Sequence, residues 1–243
     1  MRDVRSVNLS ESELKSYHEN GYLVIRGLFS TDEILEMIEH YMKINQQGAH
    51  PGDFAGVPRK TQTDAYDPLQ QYPRLIQMHY YDDKTKEWML DSRLTTPISA
   101  FLGQKAVLTQ TMLYFKPPGA RGQSFHQDNL YLRTTPLAAA WVALDPADEE
   151  NGTMLMAPGS HKLGLLPRVE ADTDLSFTAE GSYVPEGIRF VPVILEPGDV
   201  LFFSGLTLHG SLPNKTSDRF RRAFICHYEG EASTKLEGES QLH

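Results

Sequence analysis

The chain has 243 residues, of which 40% are hydrophobic and 23% are charged, a composition that provides an ample globular core. Its net charge of −9 argues against nucleic acid as a partner, because binding a phosphate backbone requires a basic face. We expect no membrane span, because no run of about 18 apolar residues is present. The N-terminus lacks the apolar core of a signal peptide, and the single cysteine, Cys226, fits a buried thiol in a reducing cytoplasm.

Two helices are predicted near the start of the chain. Ser10-Glu-Ser-Glu13 and Ser30-Thr-Asp-Glu33 both have the spacing of a capping box, in which the serine and the glutamate satisfy each other's backbone N–H groups. The first helix should end at Asn20-Gly21, and the second should run to about Ile44 with one apolar stripe. Between them, Tyr22-Leu-Val-Ile25 is typical of a strand.

The next hundred residues contain a long polar segment and more helix. Residues 45–73 are rich in Gly, Pro, Asp and Gln, and a segment of this length without apolar periodicity is a candidate lid. Residues 87–101 predict further helix, interrupted at Pro97. We therefore expect one domain over residues 1–243, with a helical part over about 1–105 and a β core over about 106–230.

From Val107 onward the pattern is that of a β protein. Short β-rich runs are separated by turns that contain Gly or Pro, and they cover residues 107–115, 138–144, 153–157, 188–195, 200–209 and 219–228. Several short strands with such turns indicate a sandwich or a barrel. Residues 162–187 are a polar interruption inside this part of the chain and form a second candidate lid.

Three side chains in the β part have the chemistry of a metal site. Residues i and i+2 of a strand point to the same face, so His126 and Asp128 can bind one ion side by side, and His209 can add a third ligand from a distant strand. Two imidazoles and one carboxylate with an open opposite face are typical of non-heme Fe(II) oxygenases. A His-x-Asp pair also occurs as a hydrogen-bonded surface pair, but the flanking turns and strand-like runs favour the metal.

Several motifs follow one another in a characteristic order. They are Tyr17-His-Glu-Asn-Gly-Tyr-Leu-Val-Ile25, Lys116-Pro-Pro-Gly119, His126-Gln-Asp128, Asn151-Gly152, Pro158-Gly-Ser-His161, Pro197-Gly-Asp199, His209-Gly-Ser211 and Arg221-Arg-Ala223. On these motifs the chain resembles the phytanoyl-CoA dioxygenase family of Fe(II)/2-oxoglutarate oxygenases over nearly its whole length. The resemblance implies a mainly β fold, a cupin-like double-stranded β-helix or jelly roll with N-terminal helices packed on one sheet.

The resemblance implies that His126, Asp128 and His209 bind Fe(II) and are catalytic through it. Imidazole and carboxylate ligands suit a divalent ion without the thiolate softness that selects zinc or iron–sulfur clusters. Related halogenases lack the carboxylate at the position of Asp128, so its presence here favours hydroxylation.

The cosubstrate 2-oxoglutarate requires a cation for its far carboxylate, and the planar fork of arginine suits it. Arg219, Arg221 and Arg222 compete for this role. Strand alternation places Arg219 and Arg221 on one face without saying which face is inward, and leaves Arg222 on the other face. The family pattern, Arg followed by a basic residue and Ala, selects Arg221, and Arg219 and Arg222 are then expected in solvent near Asp218. The resemblance adds Ser211 as a hydroxyl partner for the same carboxylate.

Three further residues are predicted to contact 2-oxoglutarate. Trp141 matches an aromatic wall of the family's cosubstrate site, with an ordinary core tryptophan as the alternative. Gln110 and Met112 alternate along one strand and share a face, and in relatives a polar residue and a methionine at these positions contact the cosubstrate. An ordinary strand pair is the alternative for both.

Substrate recognition is assigned to side chains near the metal strand. Tyr114, Asn129, Tyr131 and Arg133 are candidates, with surface or core positions as the alternative. Arg133, together with Arg59 or Arg74, is a candidate receptor for an anionic group. His79 is a further candidate for the pocket.

The resulting expectation is a dioxygenase that uses Fe(II), 2-oxoglutarate and O2 to hydroxylate a small metabolite or natural-product intermediate, with release of succinate and CO2. The same iron chemistry can instead end in desaturation, epimerisation or cyclisation. A cupin-like metalloenzyme or a ligand-binding jelly roll that does not use 2-oxoglutarate remains as a rival. The expected partner is a small molecule, and neither nucleic acid nor a membrane is expected.

Overall fold

The computed structural model describes residues 7–61 and 66–236. In these residues the helices are α1 (Glu11–Asn20), α2 (Thr31–Gln46), α3 (Asp83–Met89), α4 (Ser92–Leu102) and α5 (Asn129–Leu132). The strands are β1 (Tyr22–Ile25), β2 (Leu75–Ile76), β3 (Ala106–Tyr114), β4 (Gln123–His126), β5 (Thr134–Ala143), β6 (Met154–Met156), β7 (Arg168–Glu170), β8 (Glu180–Ser182), β9 (Val191–Pro192), β10 (Val200–Ser204), β11 (His209–Ser211) and β12 (Ala223–Lys235).

Both predicted capping boxes are present. The Ser10 and Ser30 side chains accept from the backbone N–H groups of Glu13 and Glu33, whose carboxylates accept in return from the serine N–H groups. Gly21 ends α1 in the left-handed region at φ 81°, as predicted, and its N–H donates to the Tyr17 carbonyl. The second helix continues to Gln46, two residues beyond the expected end.

The prediction that Pro97 interrupts the third helical region is wrong. Helix α4 runs through Pro97, because the fixed φ of proline is compatible with a helix and only one backbone hydrogen bond is lost. The proline ring is buried, so packing offsets that loss. The break lies instead at Leu90 and Asp91, where the Asp91 carboxylate accepts from the Arg93 N–H at 2.8 Å and begins the new helix.

The large sheet carries the helices on one face and the site on the other. Its strand order is β1-β10-β5-β12-β3-β2, and all of its pairs are antiparallel. Along β5, Ala138, Ala140 and Val142 pack with the helices, whereas Trp141 and Ala143 pack on the opposite side, as the alternation of a strand requires.

A second sheet covers the inner face of the large one. Its order is β4-β11-β6-β9, and Met154 and Met156 of β6 pack against Trp141 and Leu201 of the large sheet. Strands β7 and β8 form a separate hairpin. The prediction of a mainly β jelly roll with N-terminal helices on one sheet is confirmed.

Several predicted strand boundaries are wrong. The run 200–209 is divided between two sheets, because the Thr207 N–H donates to the Ser204 carbonyl at 2.9 Å and turns the chain between β10 and β11. The run 219–228 forms a strand only from Ala223, since the Asn214 side chain holds the Arg219 carbonyl in a loop. The run 188–195 keeps only two strand residues, and the polar segment 162–187 contains the β7–β8 hairpin.

None of the helices in residues 7–61 and 66–236 is both long enough and apolar enough to cross a bilayer.

The Ser30 cap should contribute measurably to stability. Ser30→Ala removes the side-chain acceptor for the Glu33 N–H, so we expect it to lower the free energy of unfolding by about 1 kcal/mol in a urea titration. Thr31→Ala changes the next, exposed residue, which makes no cap bond, and serves as the control. Equal losses in the two variants would contradict the assigned cap.

Candidate metal centre

Pairing between β4 and β11 brings the two histidines together. His126 is the last residue of β4 and His209 the first of β11, and they are direct antiparallel partners. Neighbouring strands lie about 4.8 Å apart, so side chains of paired residues on the same face are adjacent. The ring centroids of the two imidazoles lie 4.2 Å apart.

Asp128 joins them from outside the sheet. The expectation that His126 and Asp128 are residues i and i+2 of one strand is wrong, because β4 ends at His126 and Asp128 has helical dihedrals of φ −61° and ψ −30° before α5. The Gln127 side chain fixes this corner: its amide donates to the carbonyls of Gly164 and Leu206, and its oxygen accepts from the Leu166 N–H.

The three predicted ligands converge. The Nε2 atoms of His126 and His209 lie 3.6 and 3.5 Å from Oδ1 of Asp128, and the ligand atoms of all three lie within 4.8 Å of one another. All three side chains are buried. The cluster therefore fits a single ion held on one face.

Backbone carbonyls fix the tautomer of both imidazoles. His126 Nδ1 lies 2.8 Å from the Ser124 carbonyl, and His209 Nδ1 lies 2.9 Å from the Thr207 carbonyl, so each Nδ1–H donates and each Nε2 is left as a bare ligand atom. Burial, with a smaller contribution from the adjacent His126 ring, lowers the pKa of His209 to about 4. His209 is therefore neutral at physiological pH, as a metal ligand must be.

His227 on β12 supports the carboxylate, a role that the sequence reasoning missed. Its Nε2 lies 3.0 Å from Oδ2 of Asp128, the oxygen that faces away from the two ligand histidines. Burial alone would raise the pKa of Asp128, but the imidazoles of His227 and His209 hold it well below its usual range. Residues 221, 223, 225 and 227 alternate onto one face of the chain, so the position of Arg221 could have indicated that His227 faces the same cavity.

Gln123 is a second residue that the sequence reasoning missed. Its Nε2 lies 3.1 Å from Nε2 of His126, and its Oε1 accepts from the Tyr114 hydroxyl at 3.4 Å. Since Nε2 of His126 is the atom that would bind the metal, Gln123 lies beside the ion position, and its Oε1 connects it to Tyr114 on the cavity wall.

An inner cavity opens directly beside the three ligands, and Arg221 is buried in its wall. Arg221 is 1% exposed, and its Nε and Nη1 have no hydrogen-bond partner among the described residues. Burial lowers the pKa of Arg221 to about 10, so the side chain remains a cation at neutral pH. Its guanidinium carbon lies 5.2 Å from the Trp141 ring centre, and Trp141 lines the same cavity.

Lys116 places a buried amine beside Ser211. Its Nζ donates to Ser211 Oγ at 3.0 Å and to the carbonyls of Gly152 and Leu212 at 2.8 and 2.6 Å. Burial and the nearby charge of Arg221 lower the pKa of Lys116 well below its ordinary value. The Lys116 backbone has φ 40°, a left-handed conformation that is unusual for lysine. Only the family motif in the sequence hinted at this residue.

The remaining cosubstrate candidates are distributed over two cavities. Met112 lines the inner cavity and also an outer cavity of about 600 Å³, whereas Gln110 lines only the outer one. Arg219 forms ion pairs with Asp148 and Glu150, and Arg222 pairs with Asp145. Arg219 also lies within electrostatic range of Asp218, as expected, whereas the ion pairs with Asp148, Glu150 and Asp145 were not predicted.

The substrate candidates separate into two groups. Tyr114 and Tyr131 line the outer cavity, together with His126 and Asp128. Asn129 and Arg133 are not among its lining residues, contrary to expectation: the Asn129 amide donates to the Thr134 carbonyl, and Arg133 Nη2 donates to the Leu236 carbonyl.

His79 is also placed away from both cavities. Its Nδ1 lies 2.9 Å from Thr111 Oγ1, and Thr111 alternates with the cavity-lining residues of β3. The hypothesis that His79 faces the pocket is therefore wrong.

Both candidate lids reach the mouth of the outer cavity. Gly52, Asp53 and Phe54 come from the first polar segment, and Thr178, Ala179 and Glu180 from the second. A bridge between Phe54 and Arg74 ties the first segment to the start of β2.

The model of the phytanoyl-CoA dioxygenase (PhyH) family matches residues 17–223. The chain belongs to this family. Rat peroxisomal phytanoyl-CoA dioxygenase is 29% identical over 248 residues, which cover 96% of this chain and 72% of that protein.

Two solved structures share the fold. The non-heme α-ketoglutarate-dependent epimerase SnoN from nogalamycin biosynthesis superposes with a TM-score of 0.74 at 20% identity and covers 93% of this chain and 85% of its own. EctD from S. alaskensis, solved with 2-oxoglutarate and 5-hydroxyectoine, has a TM-score of 0.71 at 19% identity, and the match covers 98% of this chain and 84% of EctD. These likenesses confirm the double-stranded β-helix.

Family membership and the converging ligands together define the enzyme class. The protein is a 2-oxoglutarate-dependent non-heme iron dioxygenase, with His126, Asp128 and His209 as its facial triad. The rival interpretations without 2-oxoglutarate, a cupin-like metalloenzyme and a ligand-binding jelly roll, are set aside.

The hydrogen bond from His227 should strengthen metal binding. His227→Leu leaves Oδ2 of Asp128 without its donor, so we expect Fe(II) affinity, titrated anoxically into the apoprotein, to fall about 10–100-fold. His227→Gln retains an amide donor and should recover part of the loss. Unchanged affinity in the leucine variant would show that the contact does not tune the site.

Proposed function

We propose that this dioxygenase hydroxylates a small metabolite or natural-product intermediate, with release of succinate and CO2. One observation carries the proposal. All three ligands line an inner cavity, in whose wall the Nε and Nη1 of Arg221 have no hydrogen-bond partner among the described residues. His126 and Asp128 also line an outer cavity, which leads to solvent between the two polar segments and suits a small molecule.

Arg221 is the proposed anchor for the far carboxylate of 2-oxoglutarate. A buried cation without a carboxylate partner is costly, and a bound dianion would satisfy its unfilled donors. Ser211 would add a second bond: its oxygen already accepts from Lys116 Nζ and from the Gln123 N–H, so its own hydrogen is free to donate toward the cavity.

Lys116 reinforces this anchor through Ser211. Its Nζ donates to Ser211 Oγ and to two neighbouring carbonyls, and these bonds hold Ser211 in place. Trp141 and Met112 would form the walls around the carbon chain. Gln110, which lines only the outer cavity, would contact the substrate instead.

Iron, when bound, supplies the activation of O2 that couples decarboxylation of 2-oxoglutarate to oxidation of the substrate. The protein contributes position and exclusion of water. Asp128 and the two histidines orient the ion, Arg221 and Ser211 orient the cosubstrate, and the apolar side chains of Phe203 and Ile225 keep the inner cavity dry.

The carboxylate of Asp128 supports hydroxylation rather than halogenation, because it occupies the position that a halide ligand would need. Epimerisation is the second candidate outcome, since the structural neighbour SnoN is an epimerase on the same fold. The two outcomes differ in the product: hydroxylation adds one oxygen atom to the substrate, whereas epimerisation leaves its mass unchanged.

We further propose that the protein acts in the cytoplasm.

Arg221 provides the direct test of the cosubstrate site. Anoxic addition of Fe(II) and 2-oxoglutarate to the wild type should produce a visible charge-transfer band. In Arg221→Met, we expect the 2-oxoglutarate concentration at which the band reaches half its maximum intensity to rise about 10–100-fold. The reason is that the variant loses the charge-assisted hydrogen bonds to the cosubstrate. Arg219→Met removes a nearby surface cation with its own acidic partners and should leave the titration unchanged. A wild type that forms no band would overturn the assignment.

Lys116 should affect the cosubstrate but not the metal. We expect Lys116→Met to weaken 2-oxoglutarate binding about tenfold, because it releases the Ser211 hydroxyl, while Fe(II) affinity stays constant. Lys162→Met, at an exposed lysine, is the matched control. Equal loss of iron and 2-oxoglutarate affinity would indicate general damage to the fold and argue against this role.

A further inference from the structure

Arg74 lies where the outer cavity meets its mouth. It precedes β2 at the edge of the large sheet, and its backbone exchanges two hydrogen bonds with Phe54, at 2.9 and 3.0 Å. Its side chain lines the outer cavity that His126 and Asp128 also line. A ligand that contacts Arg74 can therefore extend toward the metal centre.

Arg74 is a buried cation without a compensating anion. It is only 9% exposed, and no carboxylate of the described residues lies within ion-pair distance of it. The buried Arg121 pairs with Asp67, and the half-buried Arg93 pairs with Glu33 and Asp91. Burial of an unpaired charge is unfavourable, so the contrast indicates that an external anion completes the site.

Aromatic rings surround the guanidinium of Arg74. Its carbon lies 4.6, 5.1 and 4.2 Å from the ring centres of Phe54, Tyr114 and Phe177, which stabilise the charge and hold the plane in place. Nη1 donates to the Tyr114 hydroxyl at 2.9 Å. Nε is buried and has no hydrogen-bond partner within the described ranges. The edge formed by Nε and Nη2 is the one that binds both oxygens of a carboxylate.

We propose that Arg74 anchors a carboxylate of the substrate, so that this enzyme oxidises a small organic acid. The inference rests on the proposed function and names its substrate class. Arg74 is a single cation at a mouth that Asp53 and Glu180 also line, so the surroundings suit one negative charge rather than the several charges of a diphosphate. The acid group binds at Arg74, and the carbon to be oxidised lies on the side of His126 and Asp128.

Hydrogen bonds connect Arg74 to a residue beside the metal ligands. Arg74 donates to the Tyr114 hydroxyl, Tyr114 donates to Gln123 at 3.4 Å, and the Gln123 side chain lies beside His126. These side chains bound the same cavity, so the anchor is held at a fixed separation from the reacting centre. Such an anchor determines which carbon of the acid lies next to the metal centre.

The test compares acids with their neutral amides. Hexanoate, benzoate and 3-phenylpropionate, each with its primary amide, are titrated calorimetrically into the apoprotein and into protein loaded anoxically with Fe(II) and 2-oxoglutarate. We expect at least one acid to bind the wild type about tenfold or more tightly than its amide, and Arg74→Gln to remove that preference. Arg74→Lys keeps the charge without the fork and should retain a reduced preference. Phenyl phosphate, tested against benzoate, distinguishes a phosphate site from a carboxylate site.

Arg59→Gln is the matched control, because Arg59 lies in the same polar segment and donates to the Asp174 backbone carbonyl. It should keep the acid preference of the wild type. The proposal is overturned if no acid binds more tightly than its amide, if phenyl phosphate binds more tightly than every acid, or if Arg74→Gln keeps the wild-type ratio. Failure of the proposed function has a different signature, namely no charge-transfer band in the wild type, and the acid-to-amide ratio on the apoprotein is read independently of that band.

Discussion

The antiparallel pairing of β4 with β11 is the constraint on which the site depends. It places His126 directly opposite His209, and the backbone carbonyls of Ser124 and Thr207, each two residues before its histidine, turn both Nε2 atoms toward the same point. The strands thus determine the position, the tautomer and the orientation of two ligands through main-chain geometry alone. The large sheet then contributes His227 from its inner face, and the two layers share one ion site between them.

Uncompensated positive charge distinguishes the two cavities from the rest of the protein interior. Elsewhere, the buried Arg121 and the half-buried Arg93 have carboxylate partners. Beside the triad, Arg221 and Arg74 have none among the described residues, and Lys116 is surrounded by carbonyls and one hydroxyl. Burial of these charges is unfavourable in the absence of ligands, and the anionic ligands proposed above would offset that cost on binding.

The sequence predicted the features that short-range chemistry encodes. Both capping boxes, the ligand types and the jelly roll follow from local spacing and from the order of the motifs. His227 was not predicted because its partner, Asp128, lies 99 positions away along the chain. Lys116 was missed because a lysine is expected at the surface unless tertiary contacts bury it. Arg74 remained one of several candidates, since its surroundings combine Phe54, Tyr114 and Phe177, which only the folded chain brings together.

Asp128 differs from the two histidine ligands in how it is held, and this has an evolutionary consequence. The histidines belong to paired strands, so the backbone ladder fixes where each of them lies. Asp128 lies on a corner whose shape is maintained by the side chain of Gln127. The identity of the residue at this corner can therefore drift while the barrel stays intact. A smaller residue at this corner would change the ligand set of the metal and leave the pairing of β4 with β11 untouched.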